Sequence, residues 1–223
     1  MLANLKDAPL FDGLKRLFKT KKPELGRWIV LDVETSGLDP YSDRLIAIAA
    51  VAIEVSADFS QISIMVGNSY EAVIKQDLPT SKSNILIHHI GAQAQLEGRP
   101  PIEVLEEFKT WVGESPLLAF HSAFDEAMIN RAYANFHLKP LQNEWLDIEP
   151  LAKITGVNPK LRALDEWLEH FGIECAVRHQ AAADTFATAE LLMRLWPYLK
   201  REAHSWSSIR HIARQANWIV GFK

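Results

Sequence analysis

Two carboxylates, Asp32 and Glu34, stand two residues apart near the end of the run Trp28-Ile29-Val30-Leu31-Asp32-Val33-Glu34, which stops at a Ser36-Gly37 turn signal. The run is rich in β-branched and aromatic residues, so it reads as a strand. Side chains alternate along a strand, so both acids point to one face, about 7 Å apart along the chain. Neighbouring acids on an apolar sheet repel one another and lose hydration, and stability alone gives little reason for them. A divalent cation would supply the missing partner.

The elements that would carry such a site follow in order. Arg44 to Val55 reads as a second, buried strand, and Ile62–Val66 and Tyr70–Ile74 as two shorter ones parted by Gly67-Asn68. Short turns between them suggest an antiparallel meander. Asp77–Asn84 reads as loop, and Ile85–Gly91 as a short ordered segment of open type. After Arg99-Pro100-Pro101 the pattern turns helical: Glu103–Val112, then a strand at Leu117–Phe120 and a helix at Ala123–Phe136. A strand at Trp145–Ile148 leads into a helix through Ala152, and helices at Leu161–Phe171 and Ala181–Leu199 follow. A meander followed by alternating helices and strands predicts one α/β domain, a mixed sheet with helices packed on it, and acids at strand ends then lie on the sheet rim.

Residues 27–202 form the expected domain. Before it, residues 1–26 make a basic amphipathic arm, with Leu10, Phe11, Leu14, Leu17 and Phe18 at helical spacing among lysines and arginines. After it, residues 203–223 form a helical tail with Ile209, Ile212, Ala213 and Ala216 on one stripe and Trp206 and Trp218 beside it. Either segment could dock on a protein partner such as a polymerase, or pack on its own domain.

Other acids and histidines can join the first pair. Asp125 lies where a strand gives way to a helix, three residues after Ser122, and that spacing equally suits a helix cap. Asp184 opens the last long helix, after His179 and a run of alanines small enough to let a strand or ligand come close. Asp147 reads as a cap. His88 and His89 precede an apolar residue and suit a cleft or a packed position alike. No glycine-rich phosphate loop is present.

The net charge of −4 argues against a protein that coats long nucleic acid. If four of the 28 acids are metal ligands, however, the rest equal the 24 Lys and Arg in number. An enzyme gripping only a strand end can therefore be acidic. The single cysteine, Cys175, excludes an internal disulfide and suits a reducing, cytoplasmic setting. No apolar run is long enough to span a membrane, and nothing in the sequence sets the oligomeric state.

Taken in order, three segments resemble the DEDDh, DnaQ-like family of 3′→5′ exonucleases, which includes the proofreading epsilon subunit of bacterial DNA polymerase III, ribonuclease T and oligoribonuclease. The first is Asp32-Val33-Glu34-Thr35-Ser36-Gly37-Leu38, the second ends in Phe124-Asp125, and the third runs from His179 to Asp184. One departure stands out: Phe120 and His121 occupy positions where that family commonly has His-Asn. The resemblance spans about residues 27–199. It implies a ribonuclease H-like fold with a five-stranded mixed sheet, and two Mg²⁺ or Mn²⁺ ions held by Asp32, Glu34, Asp125 and Asp184. It also implies that His179 is the general base and that Thr35, Gly37 and Leu38 receive the terminal nucleotide. The substrate so implied is a nucleic-acid 3′ end, with DNA favoured over RNA, losing nucleoside monophosphates from single-stranded or frayed ends. An RNA or short-oligonucleotide exonuclease, or a subunit docked to a polymerase, stands as the alternative.

Overall fold

The computed structural model describes residues 26–158 and 160–220, with backbone alone for 217–220. The basic arm therefore lies outside the described residues, as does the side chain of Trp218. A five-stranded mixed sheet with helices on both faces organises the described chain. Its strands are β1 (Arg27–Thr35), β2 (Leu45–Val55), β3 (Ile62–Val73), β4 (Leu117–Ala119) and β5 (Trp145–Asp147), in the order β3-β2-β1-β4-β5. The opening meander is antiparallel, and β4 and β5 join parallel to β1. The architecture is the ribonuclease H-like fold, and β1 is its central strand.

The helices among the described residues are α1 (Lys82–His88), α2 (Ala92–Leu96), α3 (Pro101–Val112), α4 (Ser122–Asn135), α5 (Ile148–Ile154), α6 (Leu164–Phe171), α7 (Ala181–Leu199) and α8 (Trp206–Val220). Alternation along β1 divides the core. Trp28 and Val30 face a cluster built with α5, α6, α7 and α8, while Ile29, Leu31 and Val33 face one built with α3 and α4. Asp32 and Glu34 continue the Trp28–Val30 series, so they point to the α7 side. Trp28 is fully buried, with ring centroids 5.8 Å from Trp196 and 5.1 Å from Trp206, which joins β1, α7 and α8 in one aromatic contact. The predicted stripe Ile209, Ile212, Ala213 and Ala216 is buried there. At the foot of α8, Trp206 Nε1 donates to Glu144, and Arg210 pairs with the same carboxylate at 2.5 Å.

Two expectations about the first half change. The pair of short strands is one strand, β3, because the ladder to β2 resumes after a register shift: Val51 faces Ser69 while Ala52 faces Met65. Gly67-Asn68 therefore bulges the strand instead of ending it. The segment of open type is helix α1, and it begins inside the expected loop. Ser81 caps it by accepting from the Asn84 amide at 3.3 Å, and His89 ends it in the left-handed conformation. Helix α2 has only five residues, too few for a helical period to show.

Candidate active site

The rim of β1 gathers acids from three elements. Oxygens of Asp32, Glu34 and Asp184 all lie within 4.8 Å of one another. The first two come from β1 and the third from the first turn of α7. The small residues at the head of α7 allow this approach: Ala181 is buried, and Thr185 Oγ1 donates to the Ala49 carbonyl of β2 at 3.2 Å. Asp125 enters from the opposite layer, in the first turn of α4, and is buried beside β1, where the Val33 amide favours its charged form.

The expected capping role for Asp125 does not hold. His121 is the N-cap residue of α4, in the left-handed conformation (φ +63°), and its side chain makes no cap bond. Ser122 is already inside the helix. Asp147 does cap, accepting from the Glu149 amide at 3.0 Å while also holding the His121 amide at 2.9 Å. The left-handed backbone explains why an Asn suits this position in the family pattern. His121 serves in its place, with its ring 4.7 Å from Phe120 and its Nε2 3.5 Å from Glu149.

Electrostatics mark the cluster as unfinished. Burial, against the lowering influence of Arg178, pushes Asp32 up to about 7. Burial and then the Asp32 charge push Glu34 up to about 9, although the Ala181 amide at the head of α7 and Arg178 work the other way. Burial and the Asp32 charge also raise Asp125. Most telling, Glu34 Oε1 is buried and has no hydrogen-bond partner. Folded proteins seldom leave a buried carboxylate oxygen bare, and an oxygen-rich cluster of this kind fits a hard divalent cation.

The family model for the RNase_T exonucleases matches residues 29–192 of this chain. The chain belongs to the DEDDh, DnaQ-like family of 3′→5′ exonucleases. Exonucleases of this family are phosphodiester hydrolases that require a divalent metal, and this chain carries an acidic cluster of Asp32, Glu34 and Asp184. Among curated relatives, the PolC-type DNA polymerase III of Staphylococcus aureus is 28% identical over 194 residues, covering 85% of this chain and 13% of that one. Among solved structures, Escherichia coli exonuclease I with a dT13 oligonucleotide gives a TM-score of 0.63 at 20% identity, covering 78% of this chain and 43% of that one. Its zinc-bound complex with single-stranded DNA gives 0.65 at 19%, over 79% and 43%. This chain thus spans less than half the length of the relatives it matches.

The loop after β1 is built round Asp43. Its carboxylate accepts from Ser36 Oγ at 2.7 Å and from the Asp39 amide at 2.9 Å, and a Cβ on Gly37 would collide with it. Gly37 is therefore there for space. Thr35 is buried, its hydroxyl donating to the Gly37 carbonyl at 2.7 Å, while Leu38 is 86% exposed at the rim. His179 lies in the loop before α7 at φ +59°, its side chain exposed and its amide donating to Asp184 Oδ2 at 2.9 Å.

Several residues at the site escaped the sequence reading. Asn84 Nδ2 donates to the Thr35 carbonyl at 3.1 Å, fastening α1 to the end of β1. Asn84 is oriented by His88, a buried ring whose Nδ1 accepts from the Ile90 amide and whose Nε2 lies 2.9 Å from Asn84 Oδ1. That pattern makes His88 a neutral Nε2–H donor, and burial lowers its pKa. Ile87, half-exposed, lies three residues from Asn84 and so on the neighbouring strip of the helix surface. Arg178, which pairs with Asp184 and Asp165, carries no spacing signal beyond preceding His179. A serine at position 81, able to cap, is the signal in the sequence that marks the start of α1.

Proposed function

We propose that this chain removes nucleoside monophosphates from single-stranded or frayed 3′ ends, with DNA as the favoured polymer and Mg²⁺ or Mn²⁺ as the metal. The observation that carries this reading is the triad Asp32, Glu34 and Asp184, with oxygens within 4.8 Å of one another and a bare buried oxygen on Glu34. With Asp125 behind Asp32, the cluster has enough hard oxygen donors for two ions. Bound there, two ions would polarise the scissile phosphate and acidify the attacking water.

The chain's own groups do the rest. Asp32 is the acid whose charge acts on both Glu34 and Asp125, so it would serve either ion. His179, exposed beside Asp184, takes the proton from the attacking water as general base. The compact loop from Thr35 to Leu38 receives the 3′-terminal sugar, and Leu38 lies against the last base. Ile87 on α1 forms the facing apolar wall, at a distance set by the Asn84–Thr35 bond. The preference for DNA is supported by the single-stranded DNA complexes of the structurally similar exonuclease I and by the polymerase relatives.

A digestion panel tests this reading: 5′-labelled single-stranded DNA, duplex DNA with a mismatched 3′ end, RNA and dinucleotides, each with Mg²⁺, Mn²⁺ or EDTA. A ladder shortening from the 3′ end of DNA, abolished by EDTA, is the expected result. No product on any substrate with either metal would refute it. The likeness to a segment of a polymerase favours a second reading in which the same activity serves a polymerase partner. A pull-down with the full chain, against one lacking residues 1–26 or 203–223, examines it.

A further inference from the structure

Both carboxylate oxygens of Asp184 are already engaged, and every partner comes from one short loop. Oδ2 accepts the His179 amide at 2.9 Å, while Oδ1 receives the Arg178 guanidinium and lies 3.4 Å from the Cys175 thiol. Residues 175–179 connect α6 to α7 and carry the proposed general base. Arg178 reaches further: its Nε pairs with Asp165 in the first turn of α6. The guanidinium thus bridges an acid on α6 to an acid of the cluster, and its charge also favours ionisation of Asp32 and Glu34.

We propose that Arg178 is the resident counter-ion of the metal site, a latch that occupies Asp184 and holds the 175–179 loop closed until a divalent cation displaces it. The proposal rests on the metal-ligand reading of Asp32, Glu34 and Asp184. A guanidinium does not deprotonate in proteins, so it cannot leave by losing its charge. It must be exchanged, and a dication among three carboxylates both takes its oxygen and repels it. Linkage makes the effect reciprocal: the latch weakens ion binding by the same factor by which the ion opens the latch. Metal occupancy and the freedom of His179 are thereby coupled.

Cys175, the single cysteine, is a native reporter on this loop. The experiment titrates Mn²⁺ into metal-stripped full-length chain, Arg178→Gln and Arg178→Lys, reading free Mn²⁺ by electron paramagnetic resonance. In parallel, a thiol reagent modifies Cys175 with and without Mg²⁺. Arg178→Gln should bind Mn²⁺ about 5-fold or more tightly than the parent, the lower end of typical coupling between linked sites. Mg²⁺ should speed Cys175 modification in the parent by a similar factor, and metal-free Arg178→Gln should already react fast. Lysine keeps the charge but lacks a fork to span two acids, so Arg178→Lys should follow Arg178→Gln in the thiol assay. Equal Mn²⁺ affinity in all three chains, with Cys175 rates unmoved by Mg²⁺, overturns the latch and leaves the metal site standing. Parent-like thiol kinetics in Arg178→Lys overturns the bridge. No Mn²⁺ binding by any of the three overturns the metal-site reading and the latch together.

Discussion

Glu34 on the central strand and Asp184 on α7 bring carboxylate oxygens within 4.8 Å of one another, across the interface between sheet and helix layer. Without a cation Glu34 keeps its proton in the fold up to about pH 9, and its Oε1 lacks even a hydrogen bond. Glu34→Gln should therefore separate stability from activity. Glutamine needs no proton to enter the buried site, so the change should raise the melting temperature in EDTA near neutral pH, by the equivalent of about 1–3 kcal/mol. The same change should cut turnover by about 10²-fold or more, as loss of a preorganised electrostatic group does. Thermal melts in EDTA beside initial rates in Mg²⁺ check it. A drop in both would mean that Glu34 is a structural residue.

The raised carboxylates also give the metal-free chain a definite pH dependence. A group whose folded pKa exceeds its unfolded value binds protons on folding. Its contribution is complete below the unfolded value and fades as pH rises through the folded one. Asp32 moves from 3.8 to about 7 and Glu34 from 4.5 to about 9. In EDTA, stability should fall as pH climbs from about 4 to about 9, by at most about 1.4 kcal/mol per pH unit for each titrating group. Saturating Mg²⁺ should flatten this slope, since the bound cation takes the place of the protons. Denaturant midpoints across pH, with and without metal, measure both slopes.

His179 gives its amide to Asp184, whereas the proposed general base is its exposed ring, and substitution can tell the two apart. His179→Asn tolerates the left-handed backbone at φ +59° and retains the amide bond to Asp184. It should bind Mn²⁺ as the parent does and lose about 10²–10⁴-fold in turnover, the range for a general base. Near-normal turnover would assign the proton transfer elsewhere.

How far the sequence discloses this site depends on what kind of signal each residue leaves. Asp32 and Glu34 are legible because alternation in a strand is strict, and two acids on one apolar face have no structural excuse. Asp184 and His179 leave a weaker mark, small residues heading a long helix, and become candidates only beside the first pair and the motif they resemble. Asp125 is not separable from a helix cap by spacing, and only the left-handed His121 at the true N-cap removes that explanation. Asn84, His88 and Arg178 leave no periodic trace. Their roles arise from bonds across the fold: Asn84 to Thr35, and Arg178 to acids on two helices. The same logic applies to the fold, where the long strands and α7 show their periods, whereas a bulge within β3 and a five-residue helix do not.

Leu38 and Ile87 offer a test of substrate gripping that does not touch the acids. Leu38 is 86% exposed and Ile87 53%, so truncation should leave the melting temperature nearly unchanged, as for other surface substitutions. If the terminal base lies between them, Leu38→Ala and Ile87→Ala should each weaken binding by about 1 kcal/mol, the scale of lost contact with one base. The loss should fall on KM for single-stranded DNA, with kcat nearly constant, because the contact is made equally before and during the reaction. The two losses should combine non-additively, since one base touches both walls. Asn84→Ala should mimic the Ile87 variant without altering any apolar contact, because Asn84 sets where α1 stands relative to Thr35. Steady-state kinetics on a 5′-labelled oligonucleotide distinguish the outcomes. A fall in kcat with KM unchanged would place the base elsewhere and make this wall a support for the acids instead.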